Sequence, residues 1–217
     1  MFIGHFALAF GAKKVAPKVS LGTLFMAAQL ADLVWPTLVL LGIERLVIAP
    51  GITAFTPLDF ISYPYSHSLL ALIGWAAALA VAYMLARRGK AREGLTLAVL
   101  VLSHWLLDFL THRPDMPLTI GGDTRLGLGL WNSVPGTIVV EGLLFAAGVA
   151  MYFKATKAAD RTGKIALFAL IGFLVIVYVG NIFGPPPPSV NAVAWVAESL
   201  WLLVAWAYWI DRHRRAA

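Results

Sequence analysis

Residues 101–112 read VLSHWLLDFLTH, an apolar stretch that also carries His104, Asp108 and His112. The surrounding segment, 92–112, has about the 20 residues that a helix needs to cross a bilayer. Ionisable side chains within hydrocarbon each cost about 2.5–3.5 kcal/mol on insertion scales, so they occur where other groups stabilise them. The stretch therefore predicts a membrane helix whose polar stripe faces the interior of a bundle.

The composition of the whole chain agrees with a membrane protein. Of its 217 residues, 60% are hydrophobic and 13% are charged, whereas soluble domains have about 25% charged residues. Residues 2–12 form a further apolar run that is too short to cross alone. We predict an all-α fold: a single polytopic transmembrane domain over residues 1–217, with six spans and a short N-terminal apolar helix. The predicted spans are 21–43, 64–87, 92–112, 131–155, 163–184 and 189–212.

The net charge of +6 comes from basic residues concentrated in alternate loops. Short cytoplasmic loops carry an excess of Lys and Arg, so both ends of the six-span unit are predicted to be cytoplasmic. The basic residues form no patch interleaved with aromatic side chains, and we predict no nucleic-acid partner. They are Lys13, Lys14, Lys18, Arg87, Arg88, Lys90, Arg92, Lys154, Lys157, Arg161, Lys164, Arg212, Arg214 and Arg215.

The spacing of His104 and Asp108 suits metal binding. Residues four apart share one face of a helix, as the two histidines of the H-E-x-x-H zinc motif do. The chain has no cysteine, so His, Asp or Glu must supply any ligands. Asp32 lies in the middle of the first span, and no Lys or Arg occupies the middle of any span. A metal ion would provide the missing positive charge; a hydrogen-bonded stripe or a simple Asp–His pair is the alternative.

The predicted depths of two further histidines place them near Asp32, His104 and Asp108. His5 lies about 12 Å deeper than Lys13 if residues 2–13 are helical. His67 is predicted to open the second span at the outer boundary. We therefore predict a centre between mid-membrane and the outer face that binds one or two divalent ions, with Zn²⁺ favoured. Its predicted ligands are His5, Asp32, His67, His104 and Asp108.

Two acids are candidates for a general base beside such a centre. Glu141 lies within the fourth span and Asp59 lies in the outer loop that precedes His67. A divalent ion activates water for attack on an ester, amide or phosphodiester, and a nearby carboxylate accepts the proton. Glu198, in the sixth span, is a weaker candidate for a direct chemical role. His112 is expected to be a hydrogen-bonded or supporting residue.

These pieces resemble the bacterial membrane-bound metal-dependent hydrolases, also described as LexA-binding inner-membrane hydrolases. The likeness rests on IGHFALAF, QLADLVW, SHSLL and above all LSHWLLDFLTHRPDMPL, and it covers roughly residues 1–120. It implies a metal site, a hydrolase and the inner membrane of a bacterium. Family members often carry a His-Arg pair just before the motif that contains His67, where this chain reads SYPYS over residues 62–66.

The function expected from these features is hydrolysis of a lipid or lipid-linked ester or phosphoester. A transporter or channel for a metal ion or proton is the main alternative, and it would need polar groups continuing to the cytoplasmic face. A third alternative is a partner-binding scaffold with a structural metal. Aromatic residues of the last span mark membrane interfaces, and they are compatible with a homo-oligomer without deciding it. They are Trp195, Trp201, Trp206, Tyr208 and Trp209.

Overall fold

A computed structural model describes residues 1–88 and 90–217 and has the all-α, polytopic architecture that the sequence predicts. In these residues, five helical segments are long and apolar enough to span a membrane, and the number is six if a helix pair bent by 57° is counted as one span. The helices are α1 (Ile3–Val15), α2 (Leu21–Ala28), α3 (Leu30–Leu40), α4 (Pro64–His67), α5 (Leu69–Arg87), α6 (Ala91–Thr111), α7 (Val134–Ala155), α8 (Arg161–Phe183), α9 (Val190–Glu198) and α10 (Leu200–Arg212).

Short antiparallel strand pairs close the ends of the bundle. Two of them form within the loops predicted to lie outside, and the third joins the loop after α7 to the C-terminal segment. A 3₁₀ turn, Leu130–Asn132, precedes α7. The strands are β1 (Arg45–Ile48), β2 (Leu58–Ser62), β3 (Met116–Pro117), β4 (Arg125–Leu126), β5 (Thr156–Ala158) and β6 (Arg214–Ala216).

Helix α1 lies at the centre of the bundle although it does not span it. Its 13 residues extend about 20 Å, and it packs against α2, α6 and α7. The approach to α7 is close because Gly148 has no side chain: a Cβ there would lie 2.2 Å from the carbonyl oxygen of Ala7. Small residues permit such close helix crossings in membranes. The short apolar run thus forms a buried half-helix, longer than the predicted 2–12.

The first predicted span, 21–43, is not one continuous helix. It breaks at Gln29, turns by 57° into α3 and ends at Leu40. No glycine or proline lies at the break. Instead, the imidazole of His104 reaches the carbonyl oxygen of Ala28, and a side chain inserted into the helical hydrogen-bond ladder is a known cause of sharp bends.

The second predicted span, 64–87, is also divided. Helix α4 ends at His67, and the hydroxyl of Ser68 then accepts the Ala71 N–H at 3.1 Å to cap the start of α5. His67 therefore ends a short helix instead of opening the span. The last span is likewise interrupted, at Ser199, between α9 and α10.

Candidate metal centre

The five predicted ligands meet where α1, α3, α4 and α6 converge. They fall into two sets of three, one of His5, His104 and Asp108 and the other of Asp32, His67 and His104. Within each set, every ligand atom lies within 4.8 Å of the others. Residues separated by up to 103 positions in the chain thus form one cluster.

His104 and Asp108 lie one turn apart on α6, with Nε2 of the histidine 3.1 Å from Oδ2 of the aspartate. Nδ1 of His104 is 2.8 Å from the carbonyl oxygen of Ala28. A carbonyl only accepts hydrogen bonds, so Nδ1 carries the proton, and in the neutral ring Nε2 carries a lone pair. Nε2 makes no aligned hydrogen bond within residues 1–88 and 90–217. The lone pair therefore faces the cluster.

His67 is oriented by a chain of two buried side chains. Its Nδ1 lies 2.7 Å from Oγ of Ser66, and that Oγ lies 2.6 Å from Oε2 of Glu44. The carboxylate must accept the hydroxyl proton, so Nδ1 of His67 donates to Oγ. Nε2 of His67 is thereby left with a lone pair, 3.4 Å from Asp32 Oδ1 and 3.9 Å from Asp108 Oδ2.

Glu44 is fixed by its own hydrogen bonds. Its Oε1 accepts the backbone N–H groups of Tyr65 at 2.8 Å and Ser66 at 2.9 Å. The residue is buried although it comes from the loop after α3. Sequence reasoning missed both Glu44 and Ser66. The only available signal was the position of Ser66 directly before His67, because nothing in LLGIERLV indicates that the loop acid folds back.

Asp32 is the most open member of the cluster. It lies in the first turn of α3, where the partial positive charge of a helix N-terminus favours a carboxylate. Its Oδ1 is also 3.8 Å from Nε2 of His104. The Asp32 side chain is 29% exposed, whereas that of Asp108 is 3% exposed. The cluster therefore reaches the surface of the bundle at Asp32.

His5 interacts with the opposite side of Asp108. Its ring stacks on His104, with centroids 3.7 Å apart and planes 4° from parallel. Nε2 of His5 lies 3.1 Å from Asp108 Oδ1, and the amino nitrogen of Met1 lies 2.5 Å from the same oxygen. Oδ1 is thus engaged by these two donors while Oδ2 faces His104 and His67. This geometry favours His5 as a residue that orients Asp108.

The two predicted general bases lie in different settings. Oε2 of Glu141, on α7, accepts the backbone N–H groups of Phe2 at 3.0 Å and Gly4 at 3.4 Å, and Oε1 has no hydrogen-bond partner in the described chain. Asp59, on β2, is ion-paired with Arg113 and is in neither set of three. Catalytic roles for both remain predictions, and the ion pair does not favour the role of Asp59.

Aromatic side chains from the loops that are predicted to lie outside cover the cluster. The Tyr63 ring lies 5.2 Å from that of His67, and its hydroxyl donates to Asp115 at 2.9 Å. Burial, followed by the nearby Asp115 carboxylate, raises the pKa of the Tyr63 phenol well above its usual value. His112 contacts the same acid at 2.9 Å and packs on Trp131. His112 is therefore part of the cover and not of the cluster.

Below the cluster, aromatic side chains fill the space between α1 and α2. Helix α1 runs from His5 toward Lys13, and the rings of Phe6 and Phe10 on this path pack edge-on against Phe25 of α2, with centroids 4.9 and 5.0 Å away. All three phenylalanines are at most 1% exposed. The polar cluster is thus closed on this side.

Around His67 and His104, two histidine nitrogens and two carboxylates lie within the range of distances that one metal ion can bridge. Zn²⁺ with bonds of about 2.0–2.2 Å holds its ligand atoms about 3.3–3.6 Å apart. The distances between the two Nε2 atoms and the oxygens of Asp32 and Asp108 are 3.1, 3.4, 3.8 and 3.9 Å. Metal-binding histidines typically donate their second N–H to an oxygen acceptor, as both do here. The donor set and its supporting hydrogen bonds therefore fit a divalent metal.

Comparisons with protein-family models, with curated proteins and with solved structures gave no match to this chain. The resemblance to membrane-bound metal-dependent hydrolases therefore remains an expectation from the sequence motifs.

Proposed function

We propose that this protein is a membrane-embedded, metal-dependent hydrolase that holds one divalent ion, with Zn²⁺ favoured. The ion would be bound by Nε2 of His67 and of His104 and by the carboxylates of Asp32 and Asp108, with His5 orienting Asp108. The observation that carries this proposal is the pair of Nδ1 hydrogen bonds, from His104 to Ala28 and from His67 to Ser66. Together they direct two lone pairs toward two carboxylates.

A divalent ion in this position supplies Lewis acidity and lowers the pKa of a water molecule, which can then attack an ester or phosphoester. The chain must also accept a proton during hydrolysis. Glu141 is the better of the two candidates because Oε1 is not hydrogen-bonded in the described chain, whereas Asp59 is ion-paired with Arg113. The aromatic cover around Tyr63 and Trp131 excludes bulk water from the outer side.

A lipid or lipid-linked substrate fits the opening of the centre. Asp32 follows the bend in the middle of a span, and its side chain is 29% exposed. An opening at that depth faces the bilayer laterally. With the basic loops cytoplasmic in a bacterial inner membrane, the centre would lie in the outer half of the bilayer.

The apolar layer under the cluster favours hydrolysis over transport. A transport path needs polar groups continuing to the opposite face. The buried rings of Phe6, Phe10 and Phe25 occupy that direction instead. The arrangement suits a pocket that opens on one side.

Metal content is the first test. Protein purified in detergent, from wild type, His104→Ala and Asp108→Asn, would be compared by elemental analysis. We expect near-stoichiometric zinc or another transition metal in the wild type and loss in both variants. His213→Gln is the matched control and should retain the metal. His213 lies near the C-terminus and pairs with Asp160, so it is outside the cluster. Absence of metal from the wild type after reconstitution would refute the proposal.

Hydrolysis is tested next with the metal-loaded protein in mixed micelles. Phospholipids and polyprenyl phosphates would be offered beside water-soluble esters and phosphoesters. We expect turnover of the lipid substrates, and its loss in His104→Ala in parallel with metal content. Turnover restricted to soluble substrates would contradict the lipid assignment, and stoichiometric metal without any turnover would favour a structural ion.

A further inference from the structure

A basic cavity lies at the end of the bundle opposite to the outer loops, away from the metal cluster. Its volume is about 520 Å³, and it lies between the end of α5, the start of α6 and the segment before α2. Its charged and aromatic lining consists of Lys18, Tyr83, Arg87, Arg88, Lys90 and Glu93. The hydrolase proposal assigns no role to this cavity.

The charges around this cavity are not balanced within the protein. Four basic side chains face one acid, and the carboxylate of Glu93 accepts the Lys90 N–H at 3.2 Å to cap α6. In the described chain, the Lys and Arg residues with ion-pair partners within 4.0 Å are Lys13 and Arg113. The N-terminus of the 21-residue helix α6 adds further positive potential. The cavity is therefore suited to an anion.

The surroundings of the cavity indicate which anion. The cavity lies where two membrane-spanning helices meet the basic segment between them, at the end of α5 and the start of α6. Lys and Arg at the ends of membrane helices lie at the level of the lipid headgroups. Basic pockets between membrane helices are typical sites for anionic lipid headgroups.

We propose that this cavity binds the phosphate headgroup of an anionic phospholipid. The site is independent of the metal centre. Arg87, at the end of α5, and Lys90, directly before α6, supply positive charge to the phosphate.

The test uses the full chain, delipidated in a non-ionic detergent. Binding of phosphatidylglycerol, phosphatidylcholine and glycerol phosphate would be measured by native mass spectrometry, with thermal stabilisation as a second readout. Each basic residue near a lipid phosphate contributes about fivefold in affinity, so Arg87→Gln/Lys90→Gln should weaken phosphatidylglycerol binding at least about tenfold. The control is Lys154→Gln/Lys157→Gln, which removes two exposed basic residues outside the cavity lining, and it should bind like the wild type.

Three outcomes would overturn the proposal. Equal binding by the two double variants would show that general positive charge, and not the cavity, attracts the lipid. Equal binding of phosphatidylcholine would show that no anionic headgroup is selected. Displacement of phosphatidylglycerol by glycerol phosphate at equal concentration would identify a soluble phosphate as the ligand.

Discussion

Ser66 and Ser68 flank His67 and have different partners. Both are fully buried, but the Ser66 hydroxyl lies 2.7 Å from Nδ1 of His67, whereas the Ser68 hydroxyl caps α5. We predict that Ser66→Ala lowers metal affinity about 10- to 100-fold, because the imidazole loses the acceptor that fixes its tautomer. The measurement is a chelator-competition titration of the purified protein.

Ser68→Ala is the matched control for this prediction. Loss of the cap should cost about 1 kcal/mol in the free energy of unfolding and leave metal affinity near the wild-type value. If the two variants lose metal equally, the Ser66 hydroxyl has no specific role in orienting His67, and the effect would be attributed to general loosening around α4.

The sequence predicts the two candidate ligands on α6 better than it predicts Glu44 and Ser66, the two residues that orient His67. His104 and Asp108 are four residues apart, so helical geometry alone places them on one face. Glu44 reaches Ser66 only because the β1–β2 hairpin returns the chain to α4. Such a contact depends on tertiary structure, and a loop acid is ordinarily solvated. The local sequence pattern therefore could not identify Glu44 as the partner of Ser66.

At the scale of helices, the contact between α1 and α7 depends on Gly148. A Cβ at this position would lie 2.2 Å from the Ala7 carbonyl oxygen, so one helix must move. We predict that Gly148→Ala lowers the free energy of unfolding by about 1–3 kcal/mol, the usual effect of overpacking. Unfolding of the protein in mixed micelles, followed by circular dichroism against denaturant, measures this change.

Gly142 on the same helix provides the comparison. A Cβ added there meets nothing within 4 Å, and Ala is favoured over Gly in a helix by up to about 1 kcal/mol. Gly142→Ala should therefore be neutral or slightly stabilising. A loss of stability as large as that of Gly148→Ala would mean that the glycines of α7 contribute through something other than the approach to α1.

The positions of the spans were predictable to within a few residues, but their interruptions were not. Apolar length and flanking charge mark α6, α7 and α8 well because each is one continuous helix. The bend at Gln29 carries no proline or glycine signal, and it accompanies the contact between His104 and Ala28. A break that depends on a side chain from another helix leaves no signal in the hydrophobic periodicity of the segment that is broken.

For the molecule as a whole, the basic loops and the C-terminal segment lie at one end of the bundle. Strand β5 pairs with β6, and Lys13 of α1 donates to Asp211 of α10 at 2.9 Å. The hairpins around β1 and β3 lie at the opposite end, beside the aromatic cover. The Lys and Arg bias predicts that the β5–β6 end is cytoplasmic.

The chain contains no cysteine, so single-cysteine variants can test this orientation directly. Lys157→Cys lies in β5, and Gly121→Cys lies at an exposed position of a loop that is predicted to lie outside. In intact cells, a membrane-impermeant maleimide should label Gly121→Cys, and Lys157→Cys should react only after permeabilisation. Arg215→Cys, which faces Lys157 across the strand pair, should behave like Lys157→Cys. The reverse pattern would place the candidate metal centre in the cytoplasmic half of the membrane, and the proposed lipid substrate would then have to come from the inner leaflet.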